Sequence, residues 1–233
     1  EQEASLLAQR LGINLIGRSR KQKKVIGKDS VQETLCINDS EYHFKQPDQA
    51  FTQPNGSVNQ HMIEWADSAC ENLSADLLEL YCGIGNFSLP LAHRFDRVLA
   101  TEVSKVATAA AIENRDKNGI NNVEFARLSA EEMTAAMSGE RPFRRLAHLP
   151  APLTDYKLNT LLVDPPRAGL DKATLDLASN FDSVIYISCN PDTLLDNLKT
   201  LQTTHEIAQL AFFDQFPYTH HLESGVLLIR KAP

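Results

Sequence analysis

The chain has 233 residues, 42% of them hydrophobic and 23% charged, which suits one compact α/β domain and is too apolar for a disordered polypeptide. Its net charge of −7 argues against a general nucleic-acid binder held by bulk positive charge. Four cysteines (Cys36, Cys70, Cys82, Cys189) without C-x-x-C spacing argue against a thiolate metal site and predict reduced thiols in a cytoplasmic setting, and no apolar run is long enough for a membrane span. The opening Glu1-Gln2-Glu3-Ala4 is not a signal peptide, and the lack of Met predicts a fragment of a longer chain.

Residues 1–50 read as short β-like pieces, at Gly12 to Gly17, Lys24 to Gly27, Thr34 to Ile37 and Glu41 to Phe44, around a basic run from Arg18 to Lys24. They are too few to hold a core and predict a β-rich remnant of a larger N-terminal region. From Ser57 the pattern changes: 57–72 is an amphipathic helix, and strands then alternate with helices. Strands are predicted at 76–81, 97–101, 123–128, 158–163 and 183–187, with helices at 87–94, 105–117, 130–136, 171–178 and 193–201. Residues 138–157, with Gly139, Pro142, Pro150 and Pro152, predict a surface insertion. Two last strands, 205–213 and 225–230, lack a helix between them and are predicted to pair antiparallel. The expectation is a doubly wound, Rossmann-like seven-stranded sheet over residues 51–233, the layout of class I S-adenosylmethionine (SAM) methyltransferases. Ligands in such sheets sit at the carboxyl ends of the strands.

Four segments fall at such ends. In Leu80-Tyr81-Cys82-Gly83-Ile84-Gly85-Asn86, Gly83 and Gly85 are expected to let the backbone approach a ligand, and Asn86 offers a hydrogen bond. Ser88 replaces the third glycine of a dinucleotide loop, which favours SAM, and Glu102 closes the next strand where a carboxylate grips ribose hydroxyls. Without a ligand, the same residues make a tight turn and a solvated glutamate. In Asp164-Pro165-Pro166-Arg167, the prolines fix a carboxylate and a rigid guanidinium fork, or else an exposed ion pair. In Ser188-Cys189-Asn190-Pro191, Asn190 is a good N-cap and Pro191 fits the first helical position, so Cys189 lies at a helix start that lowers a thiol's pKa. Read alone, it is equally a small inert hydrophobe. The link Phe213 to Gly225 carries Phe216, Tyr218, His220 and His221, which stack on a base or pack the turn, and Glu223, a candidate proton acceptor.

Together these segments closely resemble the tRNA (uracil-5-)-methyltransferases, within the wider RNA 5-methyluridine family. The resemblance runs from about Leu11 to the C-terminus and is strongest in LLELYCGIGNFSL (77–89), VDPPRAGLD (163–171), YISCNPDTL (186–194) and AFFDQFPYTHHLESG (211–225). It implies an enzyme that transfers a methyl group from SAM to C5 of uridine 54 in the tRNA T-loop, through a covalent bond between a cysteine and C6. It implies Cys189 as nucleophile and Glu223 as general base. Gln53, Tyr81, Asn86, Glu102 and Asp164 match SAM-pocket and target-pocket positions, Gly83 and Gly85 lie in the SAM loop, and Arg167 faces substrate. No metal is implied. The partners implied are the T-arm of tRNA and other RNAs with a T-like loop, with the protein acting as a monomer. Family members carry a further N-terminal β-rich portion that helps hold RNA, consistent with residues 1–50 being a remnant.

The residue types suit this chemistry. Uracil C5 is a poor nucleophile until a thiolate adds to C6, and a base must then remove the C5 proton. Arg167, or protonated Asp164, is placed to stabilise the enolate oxygen. Three other readings compete. A DNA cytosine-5 methyltransferase commonly carries its thiol after the fourth strand, where this chain has Asp164-Pro165-Pro166. An rRNA-modifying relative would carry an N-terminal cysteine cluster, and Phe216-Pro217-Tyr218-Thr219-His220-His221 favours the tRNA branch. A SAM-binding tRNA-folding partner without turnover would have no use for Cys189 and Glu223.

Overall fold

The computed structural model describes residues 2–232. Seven strands form one sheet: β5 (Asp76–Leu80), β6 (Arg97–Thr101), β7 (Val123–Ala126), β8 (Leu158–Val163), β9 (Ser183–Ser188), β10 (His205–Phe213) and β11 (Glu223–Arg230). Their order is β10-β11-β9-β8-β5-β6-β7. The five strands β5 to β9 run parallel, and β11 is antiparallel to both β9 and β10. The sheet reverses direction of travel between β5 and β8, which opens a crevice above their carboxyl ends.

Both faces of the sheet are covered, so its central strands are buried at nearly every position and mostly apolar. Alternate residues feed two cores. Leu77, Leu162, Ile185, Ile187 and Leu227 face one side, with α2 (Gly56–Ala69) and α4 (Lys105–Lys117). Leu78, Leu80, Leu161, Val163, Val184 and Tyr186 face the other, with α5 (Ala130–Met137), α6 (Lys172–Ala178) and α7 (Pro191–Leu201). A short α3 (Ser88–Leu91) continues as a 3-10 turn to Arg94. The segment 138–157 holds two 3-10 turns and returns to the core at Tyr156, under the Arg97 guanidinium at 4.1 Å.

The first fifty residues depart from a purely β-like expectation. An α-helix, α1 (Gln2–Leu11), opens the described chain. Only Ala8 is buried in it, while Leu6, Leu7 and Leu11 are exposed, so no core-facing stripe marks it in the sequence. Two hairpins follow: β1 (Leu15–Ser19) with β2 (Gln22–Ile26), and β3 (Ser30–Ile37) with β4 (Ser40–Pro47). The second brings Leu35, Ile37 and Phe44 into the main core. Helix α4 seats it through two asparagines. The Lys45 N–H donates to Asn114 Oδ1 at 2.7 Å, and Asn114 Nδ2 donates to the Lys45 carbonyl at 3.3 Å. One turn on, the His43 N–H donates to Asn118 Oδ1 at 2.8 Å, and Asn118 Nδ2 returns a bond to the His43 carbonyl at 2.8 Å.

Candidate active site

A cleft of about 460 Å³, counted to its open mouth, lies between the β3–β4 hairpin and the ends of β5 and β8. Gln53, Tyr81, Gly83, Asn86 and Asp164 line it, together with Phe44 and Phe51. Tyr81 (φ 63°), Gly83 (φ 56°) and Gly85 (φ 87°) all take left-handed backbone, so the chain turns sharply off β5. The two glycines serve different ends. A Cβ on Gly83 would meet nothing within 4 Å, so its face is open to a ligand. A Cβ on Gly85 would press on Leu89 and Phe125 at 3.1–3.2 Å. Packing of the loop onto the core and a left-handed backbone both require glycine at position 85.

Glu102 follows β6 and faces this loop. One carboxylate oxygen accepts from the Gly83 N–H at 3.1 Å, the other from the Ser104 N–H at 2.7 Å. A carboxylate has about four acceptor sites, so two remain for the hydroxyls of a ribose. Asn86 pairs reciprocally with Asn59 of α2, amide to amide, at 2.8 and 2.9 Å. Asn59 is 2% exposed and had no motif around it. Neither was Glu79 singled out in sequence; it lines the same cleft from inside β5. The Ser88 hydroxyl donates to one of its oxygens, the other has no protein partner among the described residues, and burial pushes the group up to about 8.

The second group sits at the ends of β8, β9 and β11. In the β9–β11 ladder Ser188 faces Ser224, so one residue further on Cys189 lies across from Glu223. Glu223 is the first residue of β11 and 2% exposed, and one of its oxygens has no partner among the described residues. Burial raises it to about 7. Asp164, next to the end of β8, is pushed well above the usual carboxylate range by burial, then by Glu223 and Glu79. Cys189 is half-buried ahead of α7, where Asn190 accepts from the Asp192 N–H at 3.2 Å and Pro191 opens the helix as expected. The thiol, however, is not lowered. Burial, then the carboxylates of Glu223 and Asp164, raise it, and Arg167 opposes them without reversing the result. The helix start is outweighed first by burial and then by two carboxylates that lie 25 and 34 residues away in sequence.

Arg167 is exposed, and its guanidinium lies 2.9 Å from His221 Nδ1. Its backbone carbonyl accepts from Asn190 Nδ2 at 3.1 Å and Thr193 Oγ1 at 3.2 Å, which ties the Pro-Pro-Arg turn to the start of α7. In the link before β11, Phe216 meets His221 edge-on at 5.9 Å and His220 lies tilted against His221 at 4.4 Å, so these three pack the turn. Tyr218 packs on nothing: it is fully exposed, with φ 66°.

Comparisons with known proteins agree with this architecture. The tRNA (uracil-54, C5)-methyltransferase of Pyrococcus abyssi, in complex with S-adenosyl-L-homocysteine, superposes with a TM-score of 0.70 at 24% identity, covering 91% of this chain and 49% of that one. A 16S rRNA N2 G1207 methyltransferase from T. thermophilus, bound to AdoMet and guanosine, superposes at 0.59 with 16% identity, over 99% of this chain and 62% of that one. The fold is that of the class I SAM-dependent methyltransferases. Within it, the family model for tRNA (uracil-5-)-methyltransferases matches residues 1–231. The tRNA/tmRNA (uracil-C(5))-methyltransferases of Neisseria meningitidis and Teredinibacter turnerae are 55% and 56% identical over 99% and 98% of this chain. The chain belongs to the tRNA (uracil-5-)-methyltransferase family, and it spans 63% and 62% of the length of those two relatives.

Proposed function

We propose that this chain carries the catalytic part of an RNA uracil-5 methyltransferase, which methylates uridine 54 in the T-loop of tRNA and the corresponding uridine of tmRNA. The observation that carries this reading is that Cys189 lies across the β9–β11 ladder from Glu223 and close enough to Asp164, which lines the cleft, to feel its charge. SAM supplies an electrophilic methyl group. Gly83, Asn86, Glu102 and Tyr81 hold its nucleoside end, and Gln53 and Asp164 line the reacting end. A T-loop uridine is stacked, so the base is extruded into the cleft.

Each residue then has one task. The raised Cys189 thiol gives up its proton to ionised Asp164, leaving Glu223 free as the later base, and its sulfur bonds to C6 of the ring. The ring electrons move to C5 and O4, where protonated Asp164 or Arg167 stabilises the oxygen. C5 takes the methyl group as the sulfonium leaves neutral. Glu223 removes the C5 proton, the C–H pair restores the C5–C6 double bond, and Cys189 departs. A general base with a pKa near 7 is matched to neutral pH. The basic β1–β2 hairpin, with Arg18, Arg20, Lys21, Lys23 and Lys24, anchors RNA phosphates, as part of an RNA-binding region over residues 1–50 ahead of a catalytic domain over 51–233. The protein works as a monomer in the cytoplasm, where Cys189 stays reduced. The test is a nuclease digest of unmodified tRNA transcript incubated with SAM and protein. 5-Methyluridine must appear, and must vanish when the target uridine is replaced.

A further inference from the structure

Gln215 stands in the link ahead of β11 and is 2% exposed, although it is one of the more polar side chains of the fold. Its amino group donates to Gln53 Oε1 at 3.0 Å and points its other hydrogen at the Met62 sulfur at 3.5 Å. Met62, on α2, is fully buried. A carboxamide has one donor end and one acceptor end. Turning Gln215 over would set its oxygen against the thioether and against Gln53 Oε1, losing both contacts. The thioether and Gln53 Oε1 together favour this orientation, in which the buried Gln215 Oε1 has no partner among the described residues. Gln215 in turn occupies the oxygen of Gln53. The Gln53 amino group makes no hydrogen bond to the protein among the described residues, and Gln53 is part of the cleft wall.

We propose that Gln215 is a positioning residue that fixes the Gln53 carboxamide with only its amino group toward the cleft, so that this wall accepts a ligand oxygen and repels a donor. The proposal rests on the function proposed above. Two oxygens have the required chemistry: a carbonyl of the extruded uracil, where cytosine would present an amino group, and the carboxylate of SAM. A site built to hydrogen-bond one partner discriminates strongly against an analogue that leaves its groups unpaired. Gln215 sits in the same link that ends at Glu223, so the group that aims the cleft wall and the group that takes the proton are carried by one segment.

The test compares wild type, Gln215→Glu and Gln215→Met. An ionised glutamate only accepts, so in assays at alkaline pH, where a buried carboxyl is ionised, Gln53 turns its amino group toward it and shows its oxygen to the cleft. Methionine fills the volume and leaves Gln53 free to turn either way. T-arm RNAs carrying 5-fluorouridine or 5-fluorocytidine at the target position are incubated with SAM, and rates of covalent adduct formation are measured. SAM affinity is read separately by calorimetry. Wild type should trap fluorouridine RNA strongly in preference to fluorocytidine. The Glu variant should lower that preference at least tenfold, and the Met variant about threefold. If the oxygen recognised is the SAM carboxylate, Kd for SAM should rise by those factors while the base preference holds. A folded variant, shown by its melting curve, that keeps both base preference and SAM affinity within twofold of wild type overturns the positioning role. Should the Glu variant not fold, the Met variant decides on the same criterion. Wild type that makes neither adduct nor 5-methyluridine overturns the proposed function itself, and the positioning role with it.

Discussion

Replacing Glu223 with glutamine should stabilise the protein, and increasingly so as the pH rises. Glu223 is 2% exposed, one of its oxygens lacks a partner, and burial moves it from its ordinary 4.5 to about 7. Between those values the folded chain keeps a proton that the unfolded chain has lost, so stability falls as pH rises across this window. At pH 8 the ionised carboxylate costs the native state ~3 kcal/mol, and at pH 5.5 only ~1 kcal/mol. Glutamine has nearly the same shape and no charge to bury. Its advantage over wild type should therefore grow by ~2 kcal/mol between the two pH values. With an m-value of about 3 kcal/mol/M for a chain this long, that is a divergence of roughly 0.7 M in urea midpoint. Asp164 and Glu79 titrate in both proteins and largely cancel in the difference. Urea unfolding at pH 5.5 and 8, followed by circular dichroism, measures it. An advantage that is the same at both pH values would refute the claim that Glu223 carries a raised pKa in the fold.

Chemistry, docking and packing each yield a further prediction. Cys189→Ala should leave SAM affinity within a few-fold and abolish methyl transfer, whereas Glu223→Gln should add and methylate but not release, leaving a methylated protein–RNA adduct as a slow band on a denaturing gel. Neutralising Arg20, Lys21 and Lys28 together should weaken tRNA binding at least about tenfold and flatten its salt dependence by about one unit per lost phosphate contact, without changing SAM affinity by calorimetry. Gly225→Ala should destabilise by about 1–3 kcal/mol in urea, because the new Cβ would sit 2.5–2.9 Å from the Trp65 ring.

Much of this was legible in the chain. The buried strands are short apolar runs with residues of opposite parity feeding opposite cores, as Leu77 and Leu78 do. Asn190 and Pro191 announce their helix, and the glycine loop and Glu102 meet as spacing suggested. What was hidden depends on partners distant in sequence. Asn59 is an ordinary helical residue until Asn86, 27 positions on, pairs with it, and Gln215 reaches Gln53 across 162 positions. The tight fit at Gly85 comes from Leu89 and Phe125, and the raised thiol of Cys189 comes from burial and then from carboxylates at the ends of two other strands. Helix α1 escaped because its apolar residues are largely exposed and follow no core.

The two asparagines under β4 have a consequence for solubility. Residues i and i+4 on a helix are about 6 Å apart along its axis, and residues i and i+2 on a strand about 6.8 Å apart. The spacings match closely enough that Asn114 and Asn118 answer the outward-facing backbone groups of Lys45 and His43 as a neighbouring strand would. An edge of this kind ordinarily invites a foreign strand, and proteins blunt it with charge, proline or a bulge. Here a helix occupies it with carboxamides, leaving those rungs closed to self-association, and the Lys45–Glu113 ion pair at 2.7 Å adds charge along the same seam.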